Sequence, residues 1–263
     1  LLVTSLSATS YSSPQATIDA MTATARAQNK DRYFSYITSI AEENAFNSSG
    51  ATAGFGVRLY TDPASSRLYI TEAFEGAPAL AAGIDRGDEI VAIGTSEATL
   101  STVASLLASG GSQALSDALG PSTAGTTRTL RVAGAAGTRT LTVTKADYSL
   151  TPVSSRYGAR ILDDAGRKVG YLNLRTFISS ANAQLRTAFD SFRAAGINEV
   201  ILDFRYNGGG LVATADLLGD LLGGNRSSGQ IFNQMTYRPE KSANNSTHYF
   251  TPQPQAIAPL KLA

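Results

Sequence analysis

The segment from residue 200 to residue 211 holds the residue types best suited to chemistry, in the order Val-Ile-Leu-Asp-Phe-Arg-Tyr-Asn-Gly-Gly-Gly-Leu. Its apolar first half, which brackets a single Asp203, predicts a strand buried on both faces. Three consecutive glycines follow Asn207, and leucines at helical spacing come next. A strand, a glycine turn and a helix present successive backbone N–H groups at one end of a sheet. That arrangement suits a phosphate, a carboxylate or the oxyanion of an acyl transfer.

The spacing of these glycines argues against a nucleotide-binding loop. Neither G-x-x-x-x-G-K-[ST] nor G-x-G-x-x-G occurs at this turn. A tight turn whose glycines only permit positive φ angles is the purely structural interpretation. The local sequence leaves the structural and the anion-binding interpretations open.

Composition limits the remaining classes of function. The chain has 263 residues, of which 43% are hydrophobic and 16% charged, as expected of a folded protein with room for two ordinary domains. The net charge is +1 and the basic residues are scattered, so no nucleic-acid partner is predicted. No apolar run approaches the length of about 18 residues that a membrane helix needs, so no integral membrane segment is predicted either.

Cysteine and histidine usage narrows the chemistry further. The chain has no cysteine, which excludes disulfides and thiol catalysis. The single histidine, His248, lies in a polar run that we interpret as a loop or hairpin tip. This setting favours neither a zinc site nor a Ser-His-Asp triad, and we predict no metal and no cofactor.

We predict an α/β plus β-rich fold in three parts. An N-terminal helical segment at 1–50 opens with the cap pair Ser13-Pro14 and ends in a linker at 47–50. A domain at 51–148 contains alternating strands, the first at 54–60, and a helix at 100–107. In the third part, at 149–263, a strand, an amphipathic helix and a second strand predict a right-handed crossover and therefore an α/β core.

Residues 52–148 resemble a PDZ domain of the bacterial, circularly permuted kind. The resemblance rests on four motifs taken together, Gly54-Phe-Gly-Val57, Gly76-Ala-Pro-Ala79, Ala82-Gly-Ile84 and Arg86-Gly-Asp-Glu-Ile-Val91. It implies that the C-terminal carboxylate of a peptide docks on loop amides while the peptide adds a strand to the sheet. The binding residues that it implies are Gly54, Phe55, Gly56 and Val57 in the loop and Leu100, Val103 and Leu107 on the helical wall. A PDZ fold used only for packing or oligomerisation is the alternative, and the insertion at 109–127 could fill part of the groove.

The whole arrangement resembles the carboxyl-terminal processing (tail-specific) serine proteases, peptidase family S41. The resemblance adds Val169-Gly-Tyr-Leu-Asn-Leu174, the helix after it and the glycine turn to the PDZ-like region, and the segment 30–36 is similar to the one that precedes the PDZ domain in those enzymes. It implies acyl transfer by a serine that a lysine of depressed pKa activates. It also implies that the turn forms part of the oxyanion hole, through Gly208, Gly209 or Gly210, with Gly209 favoured. Gly208 stands where the family has proline, and we expect Asp203 and Arg205 to brace the turn rather than to transfer protons.

The serine and the lysine of the family motif have no counterpart in this sequence. The family carries its serine in a Ser-Ala-Ser-Glu-like stretch after the next strand, and residues 259–263 resemble the start of that strand. We therefore expect that the chain as given ends before its nucleophile and hydrolyses no peptide by itself. Neither Ser179-Ser180, which we interpret as a helix cap, nor Lys241 nor Lys261 has the context of a catalytic residue.

The resemblance also implies partners and a location. It implies that protein or peptide C-termini are the substrates and that the protein is exported to the periplasm or cell envelope, although no leader is visible; homo-oligomerisation stays open. A non-catalytic PDZ peptide-binding adaptor with a degenerate protease core is the alternative function. A regulatory fragment left by autoproteolysis is a third.

Overall fold

A computed structural model describes residues 11–31 and 35–263. The chain divides after Asn44 into two compact units, the second of which is Ala45–Ala263. The first unit contains helix α1, Pro14–Ala27, and the first half of helix α2, Ile40–Ser49. As the sequence predicts, Ser13 caps α1, because its hydroxyl accepts the Ala16 N–H at 3.1 Å. The linker predicted at 47–50 is wrong, since α2 continues to Ser49 and only Gly50, with φ +68°, leaves the helix.

Part of the predicted N-terminal helical segment, residues 1–10 and 32–34, lies outside the described residues. The same holds for the middle of the segment 30–36. Residues 35–39 are irregular.

The second unit begins with a β-rich region built around an antiparallel sheet. Its elements are β1 (Ala51–Gly54), β2 (Val57–Asp62), β3 (Arg67–Ala73), α3 (Pro78–Ala81), β4 (Glu89–Gly94), β5 (Ser101–Thr102), α4 (Val103–Leu119), β6 (Thr127–Gly134), β7 (Gly137–Thr144) and β8 (Ala146–Ser149). The strand order is β2-β3-β4-β6-β7, β5 pairs with β4, and β1 pairs with β8 in a separate ribbon. Alternate residues of the strands, among them Leu68, Ile70, Ile90, Leu130 and Val132, form the core of this region.

Two predicted elements of this region are displaced in the structure. The strand predicted at 54–60 is interrupted, because Gly56 takes a φ of +78° and separates β1 from β2. The helix predicted at 100–107 begins only at Val103, where the Thr102 hydroxyl accepts the Ser105 N–H at 3.2 Å. It then continues to Leu119 with a kink at residues 110–111, so the predicted insertion is partly helix and packs on the core through the buried Leu115.

The remainder of the second unit is a mixed α/β region. Its elements are β9 (Ala159–Asp164), β10 (Arg167–Asn173), α5 (Ala181–Ala194), β11 (Glu199–Asp203), α6 (Val212–Leu222), β12 (Ile231–Met235), β13 (Ser246–Tyr249) and β14 (Lys261–Leu262). The main sheet has the order β14-β11-β10-β9, in which β10, β11 and β14 are parallel and β9 is antiparallel. The predicted α/β crossover is present, and residues 261–262 form the strand expected near the end of the sequence.

Helices α5 and α6 cover one face of this sheet. Leu185, Phe189 and Phe192 of α5 are buried, as their spacing predicts, and Gly196, with φ +67°, follows the end of the helix. They pack with Leu172 of β10 and with leucines of α6 in one core cluster. Because β10, β11 and β14 are parallel, their carboxyl ends meet at one edge, where the glycine turn follows β11.

None of the helices in the described residues combines the length and the apolar character that a membrane crossing requires.

Candidate active site at the glycine turn

The end of the turn after β11 has a backbone conformation that is accessible only to glycine. Gly209 and Gly210 have φ angles of +105° and +136°, and Tyr206 also has a positive φ of +65°. A Cβ atom on Gly210 would lie 2.2 Å from the carbonyl oxygen of Phe177, whereas one on Gly208 would meet no atom within 4 Å. Gly210 is therefore required both by its backbone conformation and by the close approach of a neighbouring peptide group.

Asn207 holds the turn through both ends of its side-chain amide. Its Oδ1 accepts the Gly209 N–H at 2.7 Å, and its Nδ2 donates to the Leu174 carbonyl at 2.8 Å. The segment after β10 completes the frame, since the Phe177 N–H donates to the Gly209 carbonyl at 2.9 Å. The turn is thus tied to the ends of both central strands.

These contacts decide which amides remain available to a ligand. The Gly209 N–H is occupied by Asn207, so the preference for Gly209 as the oxyanion donor is not supported in this conformation. Within residues 11–31 and 35–263, the N–H groups of Gly208 and Gly210 meet no hydrogen-bond acceptor. Two of the three predicted amides are therefore open at the carboxyl edge of the sheet.

Asp203 and Arg205 brace the turn, as the sequence suggests. The Arg205 guanidinium donates to both carboxylate oxygens of Asp203, with Nε–Oδ1 2.9 Å and Nη2–Oδ2 2.6 Å, and the Tyr171 hydroxyl donates to Oδ2 at 2.7 Å. The hydrogen bonds from Arg205 hold the pKa of Asp203 well below its usual range. A carboxylate held this firmly in its ionised form is suited to structure rather than to proton transfer.

A buried arginine joins the α/β region to the β-rich region beside this turn. The Arg175 side chain is only 1% exposed and makes ion pairs with Glu72 of β3 and with Glu75. Its guanidinium also donates to the Tyr157 hydroxyl at 3.1 Å and to the Thr151 carbonyl at 3.0 Å. Sequence reasoning did not select Arg175, although an arginine directly after the buried strand residue Leu174 was a visible signal.

Arg58 makes the most direct connection between the β-rich region and the turn. It follows the Gly54–Val57 motif by one residue, and its Nη1 donates to the carbonyl oxygen of Tyr206. Its Nη2 donates to the Arg175 carbonyl at 3.3 Å, and its Nε lies 3.1 Å from a carboxylate oxygen of Glu72. Arg58 therefore connects the start of β2 directly to the glycine turn, and the sequence did not reveal this contact.

The loop residues predicted to bind a peptide lie at the start of β2, an edge strand with no partner on its outer side among the described residues. The Phe55 carbonyl accepts the Ala79 N–H at 2.9 Å, and the Gly56 carbonyl accepts the Phe74 N–H at 2.9 Å. A Cβ atom on Gly56 would lie only 1.9 Å from the Cβ of Ala77. The loop is therefore packed tightly against the start of α3.

The residues predicted for the helical wall are not equivalent in the structure. Leu100 precedes α4 in extended backbone and is not part of the helix face. Val103 is buried in the core of the β-rich region, and Leu107 packs at the margin of that core. Of these three, only Leu107 is a helix residue that retains partial exposure.

Lys145 is a buried cation next to this loop that sequence reasoning missed. Its Nζ lies 4.8 Å from the centre of the Phe55 ring and donates to the carbonyl oxygens of Gly120 and Pro121, at 2.8 and 2.9 Å. Burial lowers its pKa. The two carbonyl groups after the end of α4, and not a carboxylate, accept the hydrogen bonds of the Lys145 ammonium group.

His248 does not lie at a hairpin tip, because the structure places it within strand β13. Its Nε2 lies 3.3 Å from Asp220 Oδ1 and its Nδ1 lies 3.6 Å from Asp216 Oδ2, both on α6. One carboxylate thus faces each ring nitrogen of His248. The described part of the chain holds no group of three or more His, Asp or Glu side chains placed to bind a metal.

Comparisons with known proteins agree with this architecture. Residues 168–258 match peptidase family S41. The chain is 30% identical to a carboxyl-terminal-processing protease of Synechocystis sp. over 166 residues, 62% of this chain and 36% of the relative. It is 33% identical to the chloroplastic carboxyl-terminal-processing peptidase 2 of Arabidopsis thaliana over 168 residues, 61% of this chain and 30% of the relative. A crystal structure from Bacteroides fragilis NCTC 9343, assigned to the S41 proteases, matches with a TM-score of 0.61 and 26% identity over 99% of this chain and 65% of that one.

These matches confirm the resemblance to the S41 peptidases that the sequence predicts. The mixed α/β fold resembles that of S41 protease structures, and the sequence is similar to carboxyl-terminal-processing peptidases. It spans about a third of the length of the curated relatives it matches.

Proposed function

We propose that this chain is part of a serine-type endopeptidase of the tail-specific kind, in which the turn at 206–210 supplies a donor of the oxyanion hole. The observation that carries the proposal is the pair of open amides, Gly208 and Gly210, at the carboxyl edge of the parallel strands. In acyl transfer, the substrate carbonyl oxygen gains negative charge as the nucleophile attacks. Backbone N–H groups that are already aimed at that position stabilise the transition state.

Gly210 is the amide that we assign to this role. The family has proline where this chain has Gly208, and proline has no N–H to donate. The Gly209 N–H is used by Asn207. Of the three glycines, only Gly210 has an N–H that is free here and is also present in the family, and hydrogen bonds between Phe177 and the two neighbours of Gly210, Gly209 and Leu211, hold it in place.

The nucleophile and base are proposed to lie outside these 263 residues. Lys145 donates to backbone carbonyls and Lys261 pairs with Glu199. Among the described residues, 11–31 and 35–263, no serine hydroxyl is hydrogen-bonded to a lysine. The serine–lysine pair that the family uses is thus not assigned to any residue of this chain, and we expect the chain alone to hydrolyse no peptide.

The proposal includes a PDZ-like domain at 51–148 that captures the C-terminus of a protein substrate. The open edge of β2 can accept an added strand, and the loop at 54–57 lies where that strand would end. Because Arg58 continues from this loop to the Tyr206 carbonyl, occupation of the groove can influence the geometry of the turn. Export to the periplasm or cell envelope is part of the same proposal.

The test compares two peptides in the full-length protein that contains this chain. They have the same apolar C-terminal sequence, one ending in a free carboxylate and the other in an amide, and the measurement is kcat/KM. Tail capture predicts faster cleavage of the free acid by at least about tenfold, since the amide lacks the charge that the loop amides bind. Equal cleavage of both would contradict tail recognition, and no cleavage of either would contradict the peptidase assignment.

A non-catalytic adaptor remains the second candidate, because the peptide groove does not require the catalytic residues. It predicts that the full-length protein binds the free-acid peptide, as measured by calorimetry, without turning it over. Binding together with turnover would exclude it.

A further inference from the structure

We propose that two copies of this chain pair edge to edge through β9, antiparallel and centred on Leu162, to form one continuous sheet. This inference does not depend on the proposed function. It rests on the open edge of β9, on the direction of its backbone groups, on its charge pattern and on the cavity beside it.

Strand β9 is the last strand of the main sheet on the side opposite β14, and all six of its residues are exposed. Ile161 and Leu162 at its centre are 41% and 40% exposed. An exposed edge strand with large apolar side chains is a template for another strand, because its outward N–H and C=O groups are free to pair. Among the described residues, β9 pairs only with β10.

The hairpin that joins β9 to β10 determines which backbone groups face outward. Its two-residue turn, Ala165-Gly166, has positive φ at both positions and makes Asp164 and Arg167 the first hydrogen-bonded pair. Hydrogen-bonded and non-hydrogen-bonded pairs alternate from there. The backbone groups of Ile161 and Asp163 therefore face the open side, whereas those of Leu162 face β10.

A two-fold axis at Leu162 gives hydrogen-bond partners to these outward backbone groups and brings side chains of opposite charge together. It places Ile161 opposite Asp163 of the second copy, so the outward groups of both residues exchange hydrogen bonds. It also places Arg160 opposite Asp164 of the second copy, twice by symmetry. Shifting the axis to Ile161 would instead place Arg160 opposite Leu162. The charge pattern therefore selects the axis at Leu162.

An apolar cavity of about 490 Å³ lies beside this edge, between β9 and α5. It is lined by Val153, Ala159, Ile161, Ala188 and Phe192, among others. A strand added to β9 would extend the sheet past the cavity and bring the second copy's Ile161 to the same face. Pairing thus buries apolar surface that the single copy leaves open to water.

The charges on β9 do not protect the edge against this particular pairing. Charged residues on edge strands commonly prevent association. In the antiparallel register centred on Leu162, however, Arg160 faces Asp164 of the second copy, whose Oδ2 already accepts from Arg167 of its own hairpin at 2.6 Å, so the added contact is between opposite charges and favours association. The charge pattern of β9 is thus complementary to that of β9 in a second copy, which is why we take a second copy as the partner.

The absence of cysteine from this sequence allows a direct test of the register. Leu162→Cys would place two thiols at the two-fold axis, in a non-hydrogen-bonded pair with Cα atoms about 4.5 Å apart, within the range for a disulfide. We expect a disulfide-linked dimer under a mild oxidant. The matched control Arg160→Cys places its thiols about 14 Å apart in this register, from a rise of about 3.4 Å per residue, and should stay monomeric on a non-reducing gel.

Sedimentation equilibrium of the unmodified chain and of charge variants completes the test. We expect a reversible dimer, weakened at least about tenfold by Arg160→Asp and restored by the double change Arg160→Asp with Asp164→Arg. Lys261→Asp, the same reversal at the opposite edge of the sheet, should have no effect on dimerisation. A monomer at every concentration, a dimer insensitive to Arg160→Asp, or cross-linking that is equal for both cysteine variants would each overturn the proposal.

Discussion

Two glycine turns, one in each region of the second unit, use glycine for different reasons. At Gly56 in the β-rich region, the atom closest to an added Cβ is the Ala77 side chain, at 1.9 Å. At Gly210 in the α/β region, it is the backbone carbonyl of Phe177, at 2.2 Å. The first turn is thus limited by side-chain packing, and the second by the approach of one peptide group to another.

The difference shows how a turn can be rigid and still present open donors. At the first turn, the carbonyls of Phe55 and Gly56 bind backbone N–H groups of the following segment, which closes the loop on itself. At the second, Asn207 and Phe177 hold Gly209 from both sides and leave the Gly210 N–H open. We therefore expect substitutions at the first turn to reduce stability and those at the second to reduce activity.

The largest effect is expected from removing the buried arginine that lies between the two turns. Arg175→Ala leaves Glu72 and Glu75 near each other and largely desolvated, and should lower the free energy of unfolding by about 3–5 kcal/mol. Urea unfolding of both proteins measures this difference in the free energy of unfolding. Arg238→Ala breaks an ion pair with Glu240 in which both side chains are more than half exposed, so it should cost no more than about 1 kcal/mol. Similar losses of unfolding free energy for both variants would show that the buried ion pairs stabilise the protein no more than an exposed pair does.

Gly210→Ala should lower kcat of the full-length protein by about 100- to 1,000-fold, as the loss of one oxyanion donor does. The added methyl group would displace the peptide from Phe177 and misdirect the N–H. Gly208→Ala is the matched control, because its Cβ would meet no atom within 4 Å, and it should retain most of the activity. Circular dichroism checks that both variants fold.

Gly208→Pro separates the two open amides. It removes the N–H of residue 208 and leaves that of Gly210. Retained kcat would support the assignment of Gly210, whereas a loss as large as that of Gly210→Ala, in a folded variant, would move the donor to Gly208.

Gly56→Ala should lower the free energy of unfolding by about 2–4 kcal/mol, the sum of a left-handed backbone on alanine and an overpacked contact with Ala77. Thermal unfolding of the 263-residue chain measures it. Gly54→Ala, whose Cβ would have its nearest neighbours at 3.8 Å, should leave the melting temperature almost unchanged. Equal melting temperatures for the two variants would show that side-chain packing does not determine the need for glycine at the first turn.

The smallest effect is expected in the pH dependence of stability. Because the pKa of Asp203 is lower in the folded than in the unfolded chain, its contribution is present above the unfolded value of about 3.9 and is lost as the pH falls through the folded value. Asp203→Asn should therefore lose less stability than the unmodified chain when urea unfolding is compared at pH 5 and at pH 3. Asp147→Asn, which changes an exposed carboxylate on β8, serves as the control, and an unchanged acid response of Asp203→Asn would contradict the assignment.

Local patterns were sufficient for most elements and for the place of the glycine turn. The alternation of β3, the helical spacing of α5 and the cap at Ser13 each act over a few residues, so the sequence reveals them directly. The start of α4 was misplaced by three residues because Leu100 fits the helical period, while the cap that begins the helix is Thr102. The three-part division and the roles of the loop residues stay predictions.

The sequence by itself determined that residues 200–211 form a buried strand followed by a glycine turn, and that Asp203 and Arg205 are close enough along the chain to pair. Only the tertiary structure decided which amide is free, because the Asn207 side chain that occupies the Gly209 N–H is itself held by the Leu174 carbonyl, 33 residues away. The same holds for Arg58, which reaches Tyr206 across 148 positions of sequence. Contacts of this kind leave no periodic pattern in the sequence, since each depends on where two distant segments meet in the folded chain.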